Sequence, residues 1–173
     1  MKKGIPKKIH IIGSVGSGKT TLAKELSARL QIPYYELDNI VWKRHKSGDK
    51  RRTEDERKVY LQTIIDSGCW IVEGVHNEEW VKNSFQHAEL IIFLDTNYSI
   101  RSYRIIKRFV LQKLGLERSN YNPTMKIFLK MFKWNRYFEK EGKPNFLNEF
   151  AVYHDKTLIV TKNDDIKNYF KIG

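Results

Sequence analysis

The 173-residue chain predicts an α/β fold in which a parallel sheet is covered by helices. Short apolar runs bounded by turn residues alternate with longer amphipathic segments, as strands alternate with crossover helices in parallel sheets. The first run, Ile9-His10-Ile11-Ile12, passes directly into a glycine-rich loop and then into a helical pattern. With 40% hydrophobic and 30% charged residues, no internal repeat and no low-complexity linker, residues 1–173 read as one domain with a sizeable core.

Taken in order, strands are expected at Lys8–Ile12, Pro33–Leu37, Trp70–Glu73, Leu90–Asp95 and Thr157–Thr161. Helices are expected at Thr20–Leu30, Thr53–Asp66, Ser99–Leu114, Thr124–Lys140 and Asp164–Phe170. Thr53 followed three residues later by Glu56 has the form of a capping box and fixes the start of its helix. Trp42–Arg52, WKRHKSGDKRR, is basic, polar and loop-like. Two insertions stand out from the framework, one at about 38–66 and one at about 113–146. Gly115, Asn120, Asn122-Pro123 and Gly142 punctuate the second among basic, aromatic-rich stretches. Insertions of this kind form lids or substrate flaps above the carboxyl ends of strands.

No apolar run approaches the roughly 20 residues that span a bilayer, and the start of the chain is too short and polar for a signal peptide. The single Cys69 excludes an internal disulfide and a cysteine-based metal site, and a cytoplasmic protein is the simple expectation. The five histidines are scattered over different expected elements without metal-ligand spacing, so none is assigned to zinc. The formal net charge of +12 points to polyanionic company: nucleotides, phosphorylated substrates or nucleic acid.

Gly13-Ser14-Val15-Gly16-Ser17-Gly18-Lys19-Thr20 fits GxxxxGK(S/T) at every fixed position. Glycines let such a loop turn its N–H groups onto phosphates, and the helix that follows, with Thr20 and Thr21 in its first turn, adds its positive end. Lys19 can reach the outer phosphates of a nucleotide, and the Thr20 hydroxyl can ligate Mg²⁺. A guanine-reading Asn-Lys-x-Asp motif is missing, because Thr161-Lys162-Asn163-Asp164 has the lysine before the asparagine. The run ending in Asp95 is followed by Thr96, not by the second acid of a remodelling ATPase.

IIGSVGSGKTTLAKEL, IPYYELDNIVW (Ile32–Trp42), CWIVEGVHNEEW (Cys69–Trp80) and LIIFLDTNYSIRSYRIIKRFV (Leu90–Val110) follow one another over the first two-thirds of the chain. In this order they resemble the adenylate-kinase-like small kinases of the P-loop NTPase superfamily, and within them most nearly the topology modulation (FlaR-like) proteins. The resemblance implies a three-layer α/β/α fold with a five-stranded parallel sheet. It also implies ATP with Mg²⁺ as phosphoryl donor and transfer to a small anionic or hydroxyl-bearing acceptor such as a nucleotide or nucleoside.

By the same resemblance, Glu73 closes its strand where a carboxylate holds the metal, directly or through water. Asp38 stands where an aspartate orients or deprotonates an acceptor hydroxyl; the alternative for it is a helix cap or Asx turn. Trp42, four residues on, would share its helical face and pack against an acceptor ring or into the core. Arg101, Arg104 and Arg108 fall along one helical face, and Arg104 and Arg108 match positions where arginines clamp nucleotide phosphates. Arg136 is the candidate lid arginine. Arg51 and Arg52 could grip an anionic acceptor or belong to a basic loop.

A rival reading comes from the second insertion. Tyr121, Phe128, Phe132, Trp134, Tyr137 and Phe138 are interleaved there with cations, the combination used on single-stranded nucleic acid. Ile127, Met131, Trp134 and Phe138 also recur at helical spacing, which predicts a buried face instead. A nucleic-acid-binding or DNA-topology regulator and a polynucleotide 5′-hydroxyl kinase are therefore the alternatives to a small-molecule kinase.

Overall fold

The computed structural model describes residues 5–45, 48–117 and 123–170. The expectations for Asn120, Tyr121 and Asn122 lie outside the described residues. A five-stranded parallel sheet is built from β1 (Lys8–Gly13), β2 (Tyr34–Glu36), β5 (Trp70–Gly74), β6 (Leu90–Leu94) and β7 (Thr157–Val160). Its order is β2-β5-β1-β6-β7. All four pairings are parallel. The chain leaves β1 for one edge and later returns to its other side, so β1 is a switch point, and the crevice beyond its carboxyl end is open to a ligand.

Alternation along the strands sorts two core layers, because successive side chains point to opposite faces. Ile9, Ile11, Ile71, Leu90, Ile92 and Leu94 face α1 (Lys19–Leu30) and α8 (Asn163–Phe170), meeting Leu22, Ala23, Leu26 and Ile166. Ile12, Trp70, Val72, Ile91 and Phe93 face the other side. There they meet α2 (Leu37–Val41), α3 (Glu54–Asp66), α4 (Glu79–His87) and the phenylalanines of the later helices. Both faces of β1, β5 and β6 are thus dry, which is why these strands read as continuous apolar runs.

The expected strands are all present, with ends that differ by at most one residue. The expected capping box opens α3, with the Glu56 amide donating to Thr53 Oγ1 (3.2 Å) and the Thr53 amide to Glu56 Oε2 (2.8 Å). α2 and α4 are additional. Their apolar residues, Leu37/Ile40/Val41 and Trp80/Val81/Phe85, keep helical spacing over too few turns to register as a period. α2 ends at Val41, and Trp42 opens a short antiparallel pair, β3 (Trp42–Lys43) with β4 (Lys50–Arg51). The expectation that Trp42 shares the helical face of Asp38 is therefore corrected: it is extended and exposed.

The described part of the second insertion is helical and packed. α5 (Tyr98–Lys113) lies against α6 (Met125–Tyr137), with Phe109 stacked on Phe128 at 4.3 Å. α6 runs without a break through a π-helical turn (Phe138–Gly142) into α7 (Lys143–Glu149). Phe138 and Phe146 enter the core beside Phe93. Trp134 is a second correction. Asn135 takes the buried place on α6, and Trp134 stands 54% exposed next to it, because the polar group has partners under the helix. Among the described residues, no helix is long and apolar enough to cross a membrane.

Candidate active site

The loop between β1 and α1 carries the glycine-rich motif. A turn closes inside it, with the Ser17 amide donating to the Ser14 carbonyl at 3.2 Å. Gly16 has φ 75°, and a Cβ there would lie 2.8 Å from the carbonyl oxygen of Arg101, so both dihedral and space demand glycine. Gly18 precedes α1 without a side-chain cap, which leaves the first amides of that helix open to an anion. The outer side of the loop is held by α5 and the segment before it. Thr96 Oγ1 donates to the Ser17 carbonyl (3.0 Å), and Arg104 Nη1 donates to the carbonyls of Ser17 (2.9 Å) and Gly16 (3.3 Å). Ser14 Oγ reaches Asn135 Oδ1 of α6 (3.4 Å), and Asn135 Nδ2 in turn donates to Ser102 Oγ (3.1 Å).

Lys19 extends back over the loop, its Nζ 3.4 Å from the Ser14 carbonyl. Thr20 Oγ1 donates to Glu73 Oε1 at 2.6 Å, joining the first turn of α1 to the end of β5. Glu73 is buried, and desolvation raises its pKa, opposed by the Lys19 charge and the Thr20 hydroxyl. Glu36 stands opposite Glu73 in the β2–β5 register and adds to that rise. Gly74, one residue on, leaves room for Leu37: a Cβ at position 74 would lie 2.7 to 3.0 Å from three atoms of that side chain. This approach seats α2 directly on the end of β5 and puts Asp38 in the first turn of α2, above the loop.

Asp38 Oδ1 lies 3.4 Å from His76 Nε2, and His76 Nδ1 lies 3.1 and 3.2 Å from the Glu78 carboxylate oxygens. The Asp38 pKa is lowered, first by the hydrogen bond from His76, then against desolvation by the charges of Lys19, His76 and Arg44. Burial opposes the charge on His76, but the bonds to Asp38 and Glu78 outweigh it and raise the imidazole to about 9. Glu78 is held down at about 2, first by its bond with His76.

Gly13 to Thr21, Asp38 and Glu73 thus come together at the carboxyl ends of β1, β2 and β5. The arginines divide. Arg101 is fully buried, paired with Glu139 and lying 5.3 Å from the Phe138 ring centroid, with Nε and Nη1 unpartnered. It therefore packs beneath the lid-side helices and does not share an open face with Arg104 and Arg108. Arg104 is engaged by the loop carbonyls, and Arg108 pairs with Glu117 at 3.3 Å. Arg136 is exposed near the end of α6. Arg52 Nη1 donates to the carbonyls of Asn39 (2.8 Å) and Ile40 (2.9 Å), capping α2, whereas Arg51 is exposed on β4.

Sequence reasoning passed over His76, Glu36, Thr96 and Asn135. Only His76 had a signal, lying inside the EGVHNEEW stretch; the others are recognisable only once helix and strand ends meet.

The residues fit a magnesium nucleotide. Thr20 and Glu73 supply a hydroxyl and a carboxylate of the kind a hard cation takes, Lys19 supplies a cation, and Ser17 Oγ is buried without a partner inside the loop.

A family model described as "AAA domain" matches residues 9–113. The chain is 34% identical over 150 residues to the shikimate kinase of Bacillus cytotoxicus, covering 78% of this chain and 84% of that protein. It is 32% identical over 140 residues to the uncharacterized protein YqaC of Bacillus subtilis, covering 79% of this chain and 75% of that one. The crystal structure of a shikimate kinase from Bacteroides thetaiotaomicron matches the fold at a TM-score of 0.50 and 12% identity, covering 97% of this chain and all of that one.

Proposed function

The chain belongs to the AAA-domain family of P-loop NTPases, among the small P-loop kinases, and on that premise we propose that it transfers the γ-phosphoryl group of ATP to a hydroxyl of a small acceptor bound beside Asp38. The observation that carries this reading is the convergence of Lys19, Thr20, Glu73 and Asp38, from three separate stretches of sequence, at one end of the sheet. The shikimate kinase relative acts by its name on a small polyhydroxylated carboxylic acid, which favours a hydroxyl acceptor.

In this reading the loop amides and the start of α1 bind the phosphates, with Lys19 placed against the charge that grows on the transferred group. Bound Mg²⁺, held by Thr20 and by Glu73, directly or through water, would neutralise phosphate charge. Asp38, kept ionised, accepts the proton of the acceptor hydroxyl and orients it for in-line attack. Among the described residues, exposed Arg136 can reach phosphates from the lid side, and Arg108 can do so by exchanging Glu117 for a phosphate. Arg104 acts through the loop it holds, and Arg101 through α5.

ADP release from Mg-ATP is to be measured against nucleosides, nucleoside monophosphates, hydroxylated small acids and single-stranded DNA and RNA with free 5′-hydroxyls. One small compound should stimulate turnover strongly, with a loss of at least about a hundredfold in Lys19→Ala. Tight ATP binding with no stimulation by any compound would count against a kinase.

One observation favours a second reading. Lys126, Lys130, Lys133, Trp134 and Tyr137 share a 100° arc of α6 turned away from the loop, and all are exposed. Cations and exposed rings on one face suit a single-stranded polynucleotide. If that face binds one, affinity falls steeply with added salt, does not require ATP, and weakens in Trp134→Ala.

A further inference from the structure

The loop between β5 and α4 contributes to the site a group that the phosphate-binding motif does not include. His76 is anchored on three sides: its ring lies tilted over Trp80 at 5.5 Å, Nδ1 faces the Glu78 carboxylate, and Nε2 faces Asp38 Oδ1. Its side chain is only 18% exposed, whereas that of Asp38 is 72% exposed on a five-residue helix. We infer that His76 is a positioning residue that fixes the carboxylate of Asp38 for the acceptor hydroxyl. This rests on the reading of Asp38 given above.

The geometry decides the protonation. A neutral imidazole has one N–H and one lone pair, so one of its two carboxylate neighbours would meet a lone pair. Only the imidazolium donates to both. The rise of the His76 pKa to about 9 agrees with this. The groups facing the His76–Asp38 pair are Glu78 from the same loop, the Trp80 ring from α4, Glu73 from β5, which feels the charge of Asp38, and Lys19 and Arg44, whose charges act on Asp38.

The bond to His76 occupies Oδ1 of Asp38 and leaves Oδ2 for the acceptor. An exposed aspartate would otherwise sample several rotamers, so the anchored ring removes that freedom before substrate arrives. The arrangement also sets a direction with pH. Below about 9 the imidazolium holds Asp38; above it one nitrogen loses its proton and the hold weakens, so turnover falls on the alkaline side.

Two measurements on the full chain test this. The first needs no acceptor: the ring signals of His76 are followed by NMR against pH in the wild type and in Asp38→Asn. A midpoint near 9 that falls by a unit or more in Asp38→Asn is the expected result. A midpoint at or below the ordinary 6.5, unmoved in Asp38→Asn, overturns the inference.

The second uses the compound that stimulates ADP release. His76→Gln, which keeps one donor but no charge, should lower kcat about tenfold, leave KM for ATP within about twofold, and abolish the alkaline limb of the pH profile. His76→Ala should lose more than His76→Gln. If Asp38→Asn abolishes turnover while His76→Gln and His76→Ala leave kcat and the alkaline limb unchanged, the inference falls and the reading of Asp38 stands. Full turnover in Asp38→Asn removes both.

Discussion

His10 and His76 lie on the same side of the sheet and titrate in opposite directions. His10 is fully buried in β1, stacked on Phe85 at 4.1 Å, and desolvation alone lowers it to about 3. Ser84 Oγ already donates to the Val81 carbonyl (2.7 Å), so His10 Nδ1 carries the ring proton and donates to Ser84 Oγ (3.0 Å). Below pH 6.5 the unfolded chain protonates this ring and the folded chain does not. Stability therefore falls from pH 6.5 toward 3, by on the order of 5 kcal/mol in total. His76 has a raised pKa, so its contribution is complete below 6.5 and is lost as pH rises through about 9. The two histidines together predict greatest stability near pH 6.5. Urea unfolding between pH 4 and 9.5 checks this, with His10→Leu expected to flatten the acid limb and His76→Gln the alkaline one.

Between elements, the contact of Leu37 with Gly74 sets where the acceptor side meets the phosphate side. β2 passes into α2 without a connecting residue, and α2 rests on the end of β5 only because position 74 has no side chain. Gly74→Ala should push Leu37 outward and carry Asp38 with it. Overpacking of this kind costs about 1–3 kcal/mol. We therefore expect a lowered urea midpoint, and turnover reduced by more than ATP affinity, since Asp38 rides on α2 with Leu37 whereas Lys19 and Thr20 belong to α1. Equal losses in both would show that the strain spreads into the loop. On the far side of the loop, α5 and α6 act as one support. Gly16 abuts Arg101, Ser14 meets Asn135, and the Arg101–Glu139 pair joins α5 to the π-helical turn. The amphipathic pattern of 124–140 revealed that a helix exists there but not which residue faces down, because Asn135 is buried by specific partners that hydrophobicity cannot foresee.

For the molecule as a whole, a nucleotide that binds only the folded state must stabilise it. Mg-ATP at about 100 times its dissociation constant should add about 2.7 kcal/mol to unfolding, and Lys19→Ala should lose most of that gain. Thermal unfolding with and without Mg-ATP measures this without any acceptor. The sequence by itself determined the α/β class, the five strands, the capping box and the phosphate loop. These follow from local rules: continuous apolar runs bounded by turn residues, helix capping, and the need for glycine where backbone must face phosphate. It also brought forward Lys19, Thr20, Asp38 and Glu73 through motif and resemblance. Only the tertiary structure decided which arginines are available, that Trp134 is outside and Asn135 inside, and that His76 stands between Asp38 and Glu78. Most of those outcomes depend on contacts between residues 33 to 121 positions apart, where a charge or an amide takes its environment from whatever the fold brings to it.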